Sequence, residues 1–307
     1  MNWQGVCCAF ILLTFSGLSQ ADDSGWNWFQ RCQQAVRQYN FEASFVVIKP
    51  NQVDSYRWLH GVQGDDELEQ LMPLEQAGLE ILRRNDKVYY FAPERSAMAT
   101  NNHSIKELPA LLYQDLARIQ QLYDAVAGGV TQLSGRNAQL LRLTAFDNDR
   151  PGYWLWLDVD TGFPLKIDTL GQEKDPLERW VVTHIQPMDQ FPASLQPALT
   201  AQLPQNIPPL PDKEVPQSPL ELQWLPAGYS ALPVASVAQP NQVMEQWLLS
   251  DGLHQVSVFV QPTAQLPAQA YRDGATTIFV LPKSQFDVTV IGPVSIEIAR
   301  QIAESVQ

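Results

Sequence analysis

Short runs in which apolar and polar residues alternate occupy most of the chain between residues 41 and 185. Alternation with a period of two is typical of β-strands that bury one face, and turn-forming pairs such as Pro-Asn, Gly-Asp and Asn-Asp separate the runs. The short spacing between the runs predicts hairpins and therefore antiparallel pairing. The predicted strands are 41–48, 55–62, 68–74, 79–84, 87–92, 137–146, 153–159, 163–170 and 177–185.

Two segments have instead the three-and-four spacing of apolar residues that is typical of an amphipathic helix. Residues 25–39 follow the candidate N-cap residues Asp22, Asp23 and Ser24, and residues 105–123 are expected to form one helix or two short ones. About nine or ten strands with two helical segments predict an α+β fold. In this fold a large, strongly curved antiparallel sheet holds the helices in its concave side.

A proline-rich segment divides the chain, because eight of the 23 prolines lie between Pro192 and Pro219. Such a density excludes regular helix and central strand, so residues 192–219 are expected to form an extended linker. The linker separates a large N-terminal domain, residues 22–191, from a smaller C-terminal domain, residues 220–307. The C-terminal domain is predicted to be a second antiparallel α+β domain, with strands 242–249, 255–261, 276–281 and 286–291 and a closing helix at 293–305.

The chain begins with a run of mostly apolar residues from Val6 to Leu18, followed by Ser19-Gln20-Ala21. Small residues at these positions are typical of a signal-peptidase site, and the run is too short to span a bilayer. We therefore expect residues 1–21 to be a signal peptide and the mature chain to be exported; a buried N-terminal helix is the alternative. Removal of this segment leaves Cys32 as the single cysteine, which excludes an internal disulfide.

Charge and motifs narrow the class of function. The chain has 33 acidic against 20 basic side chains and a net charge of -13, which disfavours nucleic-acid binding. The four histidines lack the spacing of metal ligands, so neither a metal nor a cofactor is predicted. The sequence has no Gly-x-Ser-x-Gly elbow, phosphate-binding loop or dinucleotide fingerprint.

One tripeptide, Asp160-Thr161-Gly162, matches the motif of aspartic proteases, whose mechanism needs two carboxylates that share a proton. A single copy stands here between two predicted strands, where these residue types favour a hairpin turn. The sequence therefore predicts a binding or regulatory protein and not an enzyme, with a hydrolase that uses Asp160 as a remote alternative.

Several segments, taken in order, resemble the RseB/MucB family of periplasmic sigma-E factor regulatory proteins. In the N-terminal block the likeness is clearest where Tyr153-Trp154-Leu155-Trp156-Leu157-Asp158 leads into Thr161-Gly162-Phe163-Pro164. In the C-terminal block it includes Leu225-Pro226-Ala227-Gly228-Tyr229, Ser250-Asp251-Gly252-Leu253-His254 and Gly274-Ala275. The resemblance extends over almost the whole mature chain.

The resemblance implies an N-terminal domain similar to the LolA/LolB lipoprotein carriers, with a half-barrel sheet around an apolar cavity. It implies a periplasmic negative regulator that binds the periplasmic part of an RseA/MucA-type anti-sigma factor and shields it from site-1 proteolysis. Lipopolysaccharide or the acyl chains of lipoproteins would relieve the inhibition. A lipid or lipoprotein carrier of the LolA type is the alternative function, and a homo-oligomer is left open.

Candidate site residues follow from this expectation. Aromatic side chains on the predicted strands could line an apolar cavity, although they could equally form ordinary core, and each methylene of a buried acyl chain would contribute about 0.8 kcal/mol. These residues are Phe45, Trp58, Tyr89, Phe91, Trp154, Trp156 and Trp180. A basic cluster could meet a lipid phosphate, or be an exposed group that favours solubility. Its members are Arg57, Arg83, Arg84 and Lys87.

Overall fold

The computed structural model describes residues 24–76, 78–93, 96–147, 149–204, 220–232, 245–265 and 267–307. The predicted signal peptide (1–21) and residues 205–219 of the predicted linker lie outside the described residues. Within the described ranges, no helix is both long and apolar enough to cross a membrane.

The larger of the two sheets has eleven antiparallel strands among the described residues. In chain order they are β1 (Asn40–Lys49), β2 (Gln52–Gln63), β3 (Asp66–Pro73), β4 (Glu80–Arg84), β5 (Lys87–Phe91), β6 (Met98–Asn101), β7 (Tyr123–Leu133), β8 (Arg136–Ala145), β9 (Gly152–Asp158), β10 (Pro164–Leu170) and β11 (Pro176–Met188). Across the sheet their order is β6-β5-β4-β3-β2-β1-β11-β10-β9-β8-β7, so that each strand except the two at the edges pairs with two neighbours.

The sheet curves around the helix α1 (Gly25–Gln38), and the short helix α2 (Leu116–Leu122) contributes to the same buried cluster. A flat sheet of eleven strands would be about 48 Å wide, more than twice the length of α1, which is about 21 Å. A flat sheet could therefore not bring its outer strands into one core with this helix. One buried cluster nevertheless joins α1 to β1–β5 and β8–β11. The predicted curved antiparallel sheet with helices in its concavity is therefore confirmed, and the concave surface is called the inner face below.

α1 forms because its apolar side chains share one face and its first turn is capped. The Ser24 side chain accepts a hydrogen bond from the Asn27 backbone N–H at 3.3 Å, as predicted for an N-cap residue. Gly25 permits close contact with β7, since a Cβ atom there would lie 2.3 Å from the carbonyl oxygen of Ala125. The residues buried against the sheet include Trp28, Phe29, Cys32, Ala35 and Val36.

The C-terminal domain has a second sheet of six antiparallel strands among the described residues, in the order β12-β13-β14-β17-β16-β15. The strands are β12 (Ser230–Leu232), β13 (Glu245–Ser250), β14 (Gln255–Pro262), β15 (Gln269–Asp273), β16 (Thr276–Pro282) and β17 (Phe286–Gly292), and α4 (Ile296–Glu304) is the closing helix. Alternate valines of β14 and β17 pack against Ile298 and Ile302 of α4 in a separate core. The predicted second α+β domain is confirmed.

Several elements differ from the sequence-based expectations, and the short strands β6, β12 and β15 were not predicted. Residues 105–123 contain a 3₁₀ turn (Ala110–Leu112) and the short helix α2 (Leu116–Leu122), and the polypeptide continues directly into β7. β7 was not predicted, because its two adjacent glycines and many exposed residues obscure the alternation. The start of the expected linker is helical, with a 3₁₀ turn (Ala193–Leu195) and α3 (Gln196–Thr200), because Pro197 stands in the first turn, where proline is tolerated.

Candidate functional site

Three of the seven predicted cavity residues pack against one another on the inner face. The ring centroids of Phe45 and Trp180 are 4.9 Å apart, and Trp58 lies 6.2 Å from each. All three side chains are buried, none more than 3% exposed. They form the aromatic core of the N-terminal domain, which is the alternative that the sequence left open.

The other four predicted cavity residues lie on the outer face of the sheet. The rings of Trp154 and Trp156 meet edge to face at 6.3 Å, while Tyr89 and Phe91 pack near Leu203. Side chains alternate along a strand, and the inner face of β9 is occupied by Tyr153, Leu155 and Leu157. The expectation that all seven aromatic side chains line one cavity is therefore wrong.

Arg83, predicted to meet a lipid phosphate, is buried in an ion-pair network on the inner face. Its guanidinium donates to Glu69 at 2.6 Å and to Glu67 at 2.5 Å, and the Tyr113 hydroxyl donates to Glu69 at 2.5 Å. Burial alone lowers the pKa of Arg83, but the carboxylates outweigh this effect and raise it. With a side chain only 2% exposed, Arg83 stabilises the fold and cannot meet a lipid headgroup in this structure.

Arg57 lies apart from the remaining basic residues. Its Nε donates to Glu42 at 2.7 Å on the outer face. Arg57 pairs across β2 and β3 with Met72, whereas Arg84 pairs with Leu68 at the other end of β3. The predicted basic cluster is thus divided among three places.

Arg84 and Lys87 remain together, because they lie opposite each other in the β4–β5 hairpin. They line an open groove of about 590 Å³ that also includes Tyr89 and Leu203. Arg84 Nε contacts Asp66 Oδ1 at 3.1 Å and is 29% exposed. This outer groove brings together two cations, the carboxylate of Asp86, the ring of Tyr89 and the aliphatic side chain of Leu203.

The Asp160-Thr161-Gly162 tripeptide forms the turn between β9 and β10. The Asp158 carboxylate accepts hydrogen bonds from the backbone N–H groups of Asp160 at 3.1 Å and Thr161 at 2.9 Å. Gly162 has a φ of 77°, which favours glycine. The hairpin-turn prediction is confirmed.

Asp251, in the turn between β13 and β14, is the centre of the contacts between the two domains. Its Oδ2 accepts from Arg150 Nε at 3.0 Å and lies 3.0 Å from His254 Nδ1, while its Oδ1 accepts from the backbone N–H groups of Leu253 and His254. Burial alone raises the pKa of Asp251, but the hydrogen bonds and charge of His254 outweigh it and lower the pKa strongly. The Arg150 and Asp251 side chains are 2% and 0% exposed, so this ion pair is fully desolvated.

A second arginine of the N-terminal domain, Arg118 of α2, holds the same turn from the other side. It donates to the carbonyl oxygens of Asp251 at 2.6 Å and Gly228 at 3.0 Å. Gly252 has a φ of 91°, and a Cβ atom there would lie 3.2 Å from Arg118 Nε. Leu253, next in the turn, inserts into the hydrophobic core of the N-terminal domain.

Beside this turn, a cavity of about 370 Å³ lies between the domains. One wall is the end of the inner face, a second is the segment 102–114, and a third is the hairpin turn at residues 252–255. The hydrogen bond between Tyr153 and His254 Nε2, 2.8 Å long, borders the cavity. The lining of the cavity includes Glu107, Tyr153, Ile167, Glu178, Trp180 and His254.

The sequence did not identify these interface residues. The motifs at residues 225–229 and 250–254 were recognised, but nothing in the sequence indicated that they contact Arg118 and Arg150. Arg150 lies in an irregular segment, and Arg118 lies within the helix predicted at residues 105–123, whose apolar spacing does not indicate what its polar side chains contact. The placement of Asp before a glycine turn is the one local signal, and it predicts a turn but not what the turn binds.

Comparisons with known proteins agree with this architecture. Residues 24–212 match the MucB/RseB N-terminal domain and residues 214–307 match the MucB/RseB C-terminal domain. The sigma-E factor regulatory protein RseB of Salmonella typhimurium is 29% identical over 99% of this chain and 97% of the relative.

Two solved structures of MucB bound to a second protein are also similar. The MucA/MucB complex of Pseudomonas aeruginosa gives a TM-score of 0.70 at 26% identity, over 92% of this chain and 98% of the MucB-like chain. MucB in complex with MucA(peri) gives the same TM-score and identity over 92% and 97%. With both family domains present in the same order, the chain belongs to the MucB/RseB family.

Proposed function

We propose that this protein is a periplasmic negative regulator of sigma-E signalling, which binds the periplasmic part of an RseA/MucA-type anti-sigma factor. The observation that carries the proposal is the likeness to MucB in its complexes with MucA, which extends over 92% of the chain and includes both domains. The name of the Salmonella relative, a sigma-E factor regulatory protein, supports the same function. Export through the predicted signal peptide would place the protein in the periplasm.

The proposed mechanism is occlusion and not catalysis. A bound surface denies a protease access to the segment that it covers, and the shielding requires only binding free energy. The tripeptide that resembles a protease motif is used as a turn, as its contacts with Asp158 indicate. The protein is thus proposed to be a binding protein and not an enzyme.

We further propose that an anionic lipid headgroup relieves the inhibition at the outer groove formed by Arg84, Lys87 and Tyr89. Two cations beside an aromatic ring suit a phosphate attached to an acyl chain. A ligand can release the partner only if it binds the free protein more tightly than the complex. Arg83, which is engaged with Glu67 and Glu69, takes no part.

Calorimetric titration of the mature protein with the purified periplasmic part of the cognate anti-sigma factor tests the binding. We expect saturable one-to-one binding of the two chains. Absence of heat and of co-elution at micromolar concentrations would refute the proposed function.

The lipid site has its own test with a matched control. In an Arg84→Gln/Lys87→Gln variant we expect lipopolysaccharide to release the anti-sigma factor at least about fivefold less effectively, whereas Arg57→Gln should leave release unchanged, since Arg57 lies elsewhere. Equal release from all three proteins would contradict the outer-groove site.

A further inference from the structure

Two carboxyl groups, Glu107 and Glu178, line the cavity between the domains together with the exposed Lys106, which forms no ion pair with either of them. Neither forms an ion pair with a described residue, and the Glu107 Oε2 atom is buried with no hydrogen-bond partner there. The neighbouring Lys49 is paired instead with Asp273, at 3.7 Å. Both side chains are half-buried, and carboxylates that are withdrawn from water are normally paired or hydrogen-bonded, so this arrangement is incomplete.

The electrostatic setting of both groups agrees with a missing cation. Burial raises the pKa of Glu107 more than its own backbone hydrogen bond and Lys106 lower it. Burial also raises the pKa of Glu178, and the nearby acidic residues Asp273 and Asp54 oppose the lowering effect of Lys49. A cation in the cavity would reverse this unfavourable environment.

A second feature of the cavity indicates what carries the cation. Trp180 lines the cavity and is 3% exposed, yet its indole N–H has no acceptor among the described residues. An occupant that offers a carbonyl oxygen would satisfy this donor, and the ring itself favours a neighbouring cation. Ile167 and Leu253 add apolar wall, which suits an aliphatic stem.

These requirements are met together by a basic side chain on a polypeptide. We propose that the cavity between the domains receives a lysine or arginine side chain of the bound polypeptide, whose cation lies between Glu107 and Glu178. This inference rests on the proposed function, because it assigns a contact within that complex. The volume of about 370 Å³ is within the range of binding pockets, and the net charge of -13 favours a basic partner segment.

Both domains line the cavity, so an occupant also affects how the domains are held together. Its walls include Tyr153 from the N-terminal domain and His254 from the C-terminal domain. A side chain inserted there contacts both domains at once, so the partner binds the docked arrangement of the domains more tightly than separated domains.

The test compares Glu107→Gln/Glu178→Gln with the control Glu173→Gln/Asp189→Asn, which removes the same charge from residues that do not line the cavity. Titration with the periplasmic part of the cognate anti-sigma factor should give a Kd at least about tenfold higher for the cavity variant. The control variant should change the Kd by less than about threefold. The salt dependence of binding should also become shallower in the cavity variant.

The thermal stability of the free protein separates a binding role of the two carboxyl groups from a structural role, because a structural role would lower the Tm of the cavity variant. Neutralising half-buried, unpaired carboxylates should leave the Tm of the free protein unchanged or raise it, while the complex becomes weaker. Replacing the partner's basic residues one at a time by methionine should identify one whose effect disappears in the cavity variant. Equal Kd values for the cavity and control variants would overturn the inference, whereas failure of the wild-type protein to bind would refute the proposed function instead.

Discussion

Arg83 and Arg84 are neighbours in the sequence but have different roles, because adjacent residues of a strand face opposite sides of the sheet. Arg83 points inward and is held by Glu67 and Glu69, while Arg84 lies in the outer groove. The sequence showed only that several basic residues lie on neighbouring predicted strands. Only the direction of each side chain shows which of its members can reach a ligand.

Replacement of these two arginines by methionine should separate the two roles. Arg83→Met leaves the fully buried Glu69 without its cation and removes one of the two arginines paired with Glu67, and we expect it to lower the free energy of unfolding by about 3–5 kcal/mol. Arg84→Met removes only a partly exposed pair with Asp66 and should cost less than about 1 kcal/mol. Urea unfolding of both variants measures the difference, and similar losses would show that Arg83 is not a buried structural cation.

The same network predicts a pH dependence of stability. Burial alone raises the pKa of Glu67, but the hydrogen bond from His60 and the charge of Arg83 outweigh it and lower the pKa to about 2. Its pKa in the unfolded chain is about 4.3. The ionised carboxylate therefore contributes stability above about pH 4.3, and this contribution is lost as the pH falls towards about 2.

Comparison of the wild-type protein with Glu67→Gln across this range measures the effect. The wild type should be more stable by about 3 kcal/mol at neutral pH, and the difference should shrink progressively below about pH 4.3. A difference that is independent of pH would mean that the Glu67 carboxylate does not titrate as the network requires.

At the scale of elements, the turn between β13 and β14 joins the two domains through Asp251 and Leu253. Alternation and turn chemistry were sufficient to predict this hairpin, most strands of both sheets and the first and last helices, but not the short strands β6, β12 and β15. They were insufficient for β7, an exposed edge strand with two glycines, and for α3, which begins at a proline. They could not reveal the docking of the turn, because contacts between residues about a hundred positions apart, such as Arg150 and Asp251, leave no local pattern.

Leu253→Ala should weaken the docking of the domains. The side chain is 8% exposed and belongs to the core of the N-terminal domain, so its truncation should cost about 2–5 kcal/mol. We expect calorimetry to resolve two unfolding transitions, and small-angle scattering to show a broader range of distances between the domains. Leu232→Ala, at an exposed position in β12, should change stability by less than about 0.5 kcal/mol. A single unchanged transition in Leu253→Ala would contradict the role of this residue.

At the scale of the whole molecule, the two domains share one interface that contains a desolvated ion pair, an inserted leucine and a partly acidic cavity. The fold and the family were predictable from sequence, since strand alternation and the recognised motifs extend over nearly the whole chain. The candidate sites were predictable only in part. Arg84 and Lys87 remain together, but Glu107 and Glu178 come from distant segments and were not identified.

The rate at which site-1 protease cleaves the periplasmic part of the anti-sigma factor tests the central proposal most directly. We expect addition of the mature protein to slow cleavage in proportion to the fraction bound, by about a hundredfold at a concentration of 100 times the Kd. An unchanged cleavage rate at saturating protein, with binding demonstrated in the same solution, would contradict the account.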